Sequence, residues 1–216
     1  MSQAVTLGQI VKGGYCVGCG GCAMAASGVQ MSINDVGMPQ PSHPALESLS
    51  AATCPFGTDR NETVLAEELF GGLQGISHHP STGFYSDLHA GHAITGPHRL
   101  SGSSGGLTSW VLEELLTRGE VDAVIHVGRG ASDGIFEYLI SSSVDELRMR
   151  VKSIYYPTGF HEVLEQVRAD TTRTFAITGV PCHIKALRLA AETDPLLQGK
   201  LKYFVGIFCG HLKSRG

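Results

Sequence analysis

From about residue 81 the apolar residues alternate between short β-branched runs and stripes at helical spacing. The runs at 122–127, 138–141, 174–179 and 203–208 are short, rich in Val, Ile, Phe and Tyr, and bounded by Gly or polar residues, which predicts buried strands. Between them, apolar positions three and four residues apart predict helices over 106–118, 144–150, 161–168 and 184–191. This alternation predicts an α/β (α+β) fold in which a mixed or parallel sheet carries flanking helices. Residues 1–80 are different. They hold glycine-rich turns, the proline-rich stretch Met38-Pro39-Gln40-Pro41-Ser42-His43-Pro44, expected to be a loop, and one helical stripe over 62–70. This part is expected to be irregular and to depend on a cofactor for order.

The composition narrows the classes. The 216 residues are 42% hydrophobic and 17% charged, and 16 Lys and Arg against 20 Asp and Glu give a net charge of −4. No basic surplus points to nucleic acid. The stretch from Met1 to Lys12 has no basic region followed by an apolar run, and no segment is apolar for long enough to predict a membrane span. A cytoplasmic location is therefore expected. In a reducing compartment, six cysteines signal metal binding or redox chemistry rather than disulfides.

Four of those cysteines carry the strongest chemical signal. Cys16, Cys19 and Cys22, in Gly14-Tyr15-Cys16-Val17-Gly18-Cys19-Gly20-Gly21-Cys22, follow the C-x2-C-x2-C spacing of bacterial ferredoxins. Cys54, followed by Pro55, is a candidate fourth ligand, remote in sequence where a compact ferredoxin has it close. Three thiolates on a glycine-rich turn can converge on three corners of a [4Fe-4S] cubane, because small residues let backbone amides point at sulfur. A structural zinc site is the competing metal, although such sites usually come as two separated pairs. Buried unpaired cysteines are the simplest alternative.

A second signal is Arg99-Leu100-Ser101-Gly102-Ser103-Ser104-Gly105-Gly106-Leu107-Thr108, a Ser/Gly loop opening into a helix. Free amides and the positive helix end suit a phosphate or pyrophosphate, and ordinary helix capping explains the same residues. It matches neither common nucleotide-binding glycine pattern. Further on, Lys152, Ser153, Tyr155 and Tyr156 bring a cation, a hydroxyl and two rings together before Pro157. Lys152 could contact an anion and a Tyr could cover a flavin ring, or both could be surface residues. The third signal is a pair of strand ends, Gly179-Val180-Pro181-Cys182-His183 and Phe208-Cys209-Gly210-His211. Ligands gather at such ends in α/β sheets. Cys182 and Cys209 are redox thiols, ligands of a further cluster, or small buried residues, and His183 and His211 fit turn positions better than ligands.

In this order, the Cys triplet, Cys54-Pro55, Ser104-Gly105-Gly106-x-Thr108, Gly119-Glu120-Val121-Asp122-Ala123-Val124, Lys152-Ser153-x-Tyr155, Gly179-Val180-Pro181-Cys182 and Phe208-Cys209-Gly210-His211-Leu212-Lys213-Ser214 resemble the beta-subunit family of coenzyme F420 hydrogenase/dehydrogenase. The resemblance implies an iron-sulfur flavoprotein oxidoreductase relaying electrons between a [4Fe-4S] cluster, FAD and a redox partner. That partner is a ferredoxin, another oxidoreductase subunit, or a small-molecule carrier such as coenzyme F420. It implies that Cys16, Cys19, Cys22 and Cys54 hold the cluster and that Ser104, Gly105, Gly106, Thr108, Lys152, Ser153 and Tyr155 lie near FAD. It leaves the role of Cys182 open. The expected organisation is an iron-sulfur region at 1–80, the first part of a flavin domain at 81–156, and the start of a C-terminal domain at 157–216. Family members are usually longer, so the C-terminal domain is expected to be incomplete. A non-catalytic electron-transfer subunit and a zinc-stabilised interaction module are the other functional classes.

Overall fold

The computed structural model describes residues 5–57, 60–130, 136–150 and 153–210. Its N-terminal part holds α1 (Leu7–Lys12), α2 (Gly21–Ala25), a hairpin of β1 (Gln30–Ile33) and β2 (Pro39–Ser42), and α3 (Glu62–Phe70). A second small hairpin, β3 (Ser77–His79) and β4 (Gly83–Tyr85), leads into α4 (His98–Ser101) and α5 (Leu107–Thr117). The remaining elements are β5 (Ala123–Arg129), β6 (Phe136–Ser141), α6 (Val144–Arg148), α7 (His161–Ala169), β7 (Phe175–Gly179), α8 (Pro181–Thr193) and β8 (Leu201–Gly206).

The last four strands form one mixed sheet in the order β6-β5-β7-β8. β5 pairs antiparallel with β6 and parallel with β7, and β7 pairs parallel with β8. Because successive strand residues point to opposite faces, Ala123 and Ile125 face one layer of helices and Val124 faces the other. On the first face Ile125, Phe175 and Ile177 pack against Val163, Leu164 and Val167 of α7 and Ala186, Leu187 and Ala190 of α8. On the second, Val124 and Ala176 meet Leu112 of α5 and Leu147 of α6. Both faces are covered, so the central strands are apolar throughout, and each fully buried large side chain contributes on the order of 1.5–3 kcal/mol.

The α/β expectation holds, with local corrections. The helix expected at 184–191 begins at Pro181, whose ring suits the first helical position, so His183 lies inside a helix and is buried rather than in a turn. The strand expected at 203–208 is β8, two residues earlier, and it lies at the end of the four-stranded sheet. Leu201 points into the core, whereas the chain leaves β7 after Ile207 N–H bonds Gly179 O at 2.9 Å, and Phe208 is fully exposed.

The proline-rich stretch is a strand and not a loop. Pro39 pairs with Ile33 and Pro41 with Met31. Two prolines two residues apart can share the non-bonded positions of an antiparallel pair, where no N–H is required. Asn34 Oδ1 accepts from the amides of Val36 and Met38 at 3.1 and 2.8 Å and closes the turn. The described residues before 80 also hold more regular structure than expected. α1 has a capping box between Thr6 and Gln9, and Leu7, Ile10 and Ala51 form a small core of their own.

Two histidines are buried in polar pairs on the sheet. His126 Nε2 lies 2.9 Å from Ser141 Oγ, and Tyr138 Oη lies 2.9 Å from His183 Nδ1. Burial, with Arg150 nearby, holds His126 down to about 4, and burial holds His183 down to about 4. The unfolded chain binds protons at both sites below its ordinary value of about 6.5 while the folded protein resists, so stability is full above that pH and falls toward pH 4. Urea midpoints should decline across this window, with each His contributing a slope of up to about 1.4 kcal/mol per pH unit. His183→Gln should remove roughly half of the joint effect, and a flat profile between pH 6.5 and 4.5 would contradict it. In the core, Ile177→Ala should cost about 2–5 kcal/mol in denaturant unfolding, against about 0.5 or less for the exposed Ile33→Ala.

Candidate functional site

The loop that carries the cysteine triplet turns on three glycines in the left-handed region, Gly14, Gly18 and Gly20, with φ of 74, 71 and 85°. At Gly18 and Gly20 a side chain is excluded by contact as well as by backbone angle. A Cβ at Gly18 would lie 2.6 Å from Pro39 O, and one at Gly20 would lie 2.9 Å from His161 Nδ1. The loop therefore threads between β2 and the start of α7. Phe160 N–H donates to Cys19 O at 2.9 Å, and Arg168 Nη2 donates to Met24 O at 2.7 Å, so α7 grips the cysteine loop and α2 together. Cys54 is brought in by its neighbour: the buried Thr53 hydroxyl donates to Gly21 O at 3.2 Å.

Cys16, Cys19, Cys22 and Cys54 all border one cavity, walled by Leu7, Ile10, Pro41 and Phe56. Backbone amides are directed at the sulfurs: Gly18 at Cys16, Gly21 at Cys19, Ala23 at Cys22, and both Phe56 and Gly57 at Cys54. Burial raises all four thiols, Cys22 to about 12, and the neighbouring sulfurs push Cys16, Cys19 and Cys22 further in the same direction. Lys185 of α8, itself buried, offsets the rise at Cys54 and pairs with Glu62 at 3.3 Å. Among the described residues no three Cys, His, Asp or Glu side chains meet at a point suited to one metal ion. Four thiols around an apolar cavity, each with amides aimed at its sulfur, are a donor set that fits an iron-sulfur cluster.

The second group of expected residues is also partly assembled. Gly105 and Gly106 precede α5, Thr108 lies in its first turn, and Ser153 N–H donates to Ser103 Oγ at 3.1 Å, which joins the Ser/Gly loop to the 153–155 segment. Lys152 lies outside the described residues. Tyr155 is half exposed, and its neighbour Tyr156 stacks on Phe136 with centroids 5.6 Å apart. Ser104 offers its carbonyl to Arg99 Nη1 at 2.6 Å. Gly106 has a packing reason of its own, since φ is 76° and a Cβ would fall 2.4 Å from His98 O. Gly105 has an ordinary backbone, and a Cβ there would stand 3.2 Å from Gly91 O.

Sequence reasoning missed what braces this loop. His98 is buried at the start of α4, its Nε2 3.2 Å from Glu113 Oε2, and Glu113 takes both arms of Arg148 at 2.8 and 2.5 Å. The Arg148 guanidinium holds the Glu113 carboxyl below its usual range. These residues are separated by 15 and 35 positions, and nothing in their local pattern announces a shared contact. At the strand ends, Cys182 is the second residue of α8, half-buried, with its thiol raised by burial and by nearby Cys209. Cys209 is exposed, and His211 lies outside the described residues. Tyr138 lies in the same core as Cys19 and bonds His183, the residue after Cys182. No helix among the described residues is long and apolar enough to cross a membrane.

No curated protein matches the sequence. The chain is similar to a solved chain of the F420-reducing [NiFe] hydrogenase complex from Methanosarcina barkeri, at 20% identity with a TM-score of 0.49, over 55% of this chain and 42% of that one. The chain thus spans less than half the length of that structure. Family models match two segments. Residues 88–165 match the coenzyme F420 hydrogenase/dehydrogenase beta subunit N-terminal model, and residues 172–216 match its C-terminal model. The first takes in the Ser/Gly loop and Ser153, the second takes in Cys182 and Cys209, and neither includes the four N-terminal cysteines. With more than half of its length matched in the order the motifs require, the chain belongs to the coenzyme F420 hydrogenase/dehydrogenase beta-subunit family.

Proposed function

We propose that the protein is an iron-sulfur flavoprotein oxidoreductase, with a [4Fe-4S] cluster at Cys16, Cys19, Cys22 and Cys54 and FAD where Ser103 meets Ser153. The observation that carries this reading is the single apolar cavity bordered by all four thiols, with backbone amides directed at each sulfur. Membership in a hydrogenase/dehydrogenase family supports the reaction class.

The four thiols would ionise together only with positive charge in place of the water that burial removes, which a bound iron-sulfur cluster would supply. The amides of Gly18, Gly21, Ala23, Phe56 and Gly57 direct partially positive hydrogens at the sulfurs and would stabilise the negative charge of a bound cluster. Leu7, Ile10 and Phe56 keep solvent from the sulfurs. At the other site, the first-turn amides of α5 and the backbone at Ser104, Gly105 and Gly106 would hold the phosphates, with Thr108, Ser153 and Tyr155 as the neighbouring side chains that would bind the rest of FAD. Bound at these two sites, the cluster supplies one-electron transfer and FAD the exchange between two-electron and one-electron chemistry. The electron partner in this reading is a protein such as a ferredoxin or another oxidoreductase subunit, or a soluble carrier such as coenzyme F420.

Anaerobic reconstitution followed by a visible spectrum tests both assignments. A broad charge-transfer shoulder marks the cluster, and structured bands mark the flavin. Cys19→Ser should remove most of the bound iron and acid-labile sulfide. One zinc per chain without sulfide would instead establish the structural-metal alternative. Gly105→Val should weaken FAD binding while leaving iron content close to that of the parent, because a Cβ there would stand 3.2 Å from Gly91 O and would shift the loop that precedes α5. Undiminished FAD affinity in that variant would remove the loop from the flavin site.

A further inference from the structure

The sheet face of Val124 and Ala176 packs against Leu112 of α5 and Leu147 of α6, yet it also buries His126 and Ser141. Buried polar groups on such a face are costly unless they are bonded. Ser141 is directly opposite Val124 in the β5/β6 register, so it points to the same face as Val124 and His126. The two bond each other at 2.9 Å, and Ser141 Oγ also accepts from Arg150 Nη1 at 3.0 Å. The same nitrogen donates to Ile140 O at 2.9 Å. Gly128 follows His126 on this face, and a Cβ there would lie 3.3 Å from Arg150 Cβ and 3.4 Å from its Cδ. The glycine leaves the path along which the arginine stem crosses the strand. Hydrophobic residues at 126 and 141 would fill the space as well and would leave Arg150 without its anchor.

Arg150 stands three residues before Ser153, whose amide closes onto Ser103 beside the helix start. Among the described residues no carboxylate pairs with Arg150; its guanidinium is held by the serine hydroxyl and the strand carbonyl, and its amide donates to Leu147 O at 3.0 Å. We propose that the His126–Ser141–Arg150 network makes Arg150 a positioning residue that holds Ser153 against the Ser/Gly loop, and through that closure shapes the dinucleotide site. This rests on the flavin reading given above for the second half only. The closure itself, the bond from Ser153 N–H to Ser103 Oγ, does not depend on that reading.

The experiment compares the parent, Ser141→Ala, Arg150→Met and Gly105→Val by amide hydrogen exchange without ligand and by FAD titration. Ser141→Ala removes one oxygen and keeps the charge of Arg150, so it remains informative if Arg150→Met fails to fold. Loss of a charge-assisted bond should speed Ser153 exchange about tenfold in both variants and lower FAD affinity by a similar factor. Ala176 and Ile177 amides in β7 should be unchanged. Ser153 exchange at the parental rate in Ser141→Ala overturns the clasp. Weaker FAD binding in Arg150→Met alone, with exchange unaltered, overturns it too and assigns Arg150 a purely electrostatic part. A parent that does not bind FAD, or a Gly105→Val variant that binds it equally well, overturns the flavin reading, while the exchange rates still decide whether the clasp exists.

Discussion

The hydrogen bond from Phe160 N–H to Cys19 O is the seam on which the rest of the molecule depends. On one side is a cysteine loop with little apolar surface of its own, on the other a sheet that buries Ile125, Phe175 and Ile177 completely. Cys19 and Met24 belong to that same core, and Val17 packs against it. A short glycine-rich loop has too little apolar area to order itself against its conformational entropy. It is ordered because α7 and α8 present a finished surface to it, and Gly20 and Gly21 let it approach His161 and Ala186 closely. The precision of the thiol arrangement is therefore borrowed from the α/β body.

That dependence explains which parts were legible in the sequence. β5, β7 and α7 follow from hydrophobic period alone, because both faces of the sheet and one face of the helix are buried and the pattern has no competing demand. The six-residue α1 and the β1/β2 hairpin were not legible. α1 is too short for a periodic stripe to stand out, and two prolines argue against a strand until their alternate spacing is considered. β8 was displaced by two residues because Phe208 is apolar but has left the sheet.

The same contrast holds at the sites. Cys16, Cys19 and Cys22 are legible because their chemistry is written in local spacing, and Cys54 because a proline follows it. What brings Cys54 to the others is Thr53 bonding to Gly21 across 32 residues, and such a contact leaves no local trace. The bonds from Ser103 to Ser153 and from His98 through Glu113 to Arg148 are of the same kind. Sequence spacing shows which residues carry the chemistry, and long-range polar contacts decide whether they meet.

Between the two sites lies a region with its own logic. Tyr138 is buried with Phe160 and His183, and the three rings pack at centroid distances of 5.7 to 6.3 Å. Its hydroxyl meets a histidine that burial keeps neutral, so neither partner carries charge at ordinary pH. The three rings form a neutral, close-packed cluster, and the hydrogen bond fixes the orientation of two of them. A charged pair in its place would shift the potential felt at Cys19 and Cys182 together. The neutrality of Tyr138 and His183 thus leaves each cysteine site to be set by its own amides and neighbours, and it does so at the point where the loop and the sheet are joined.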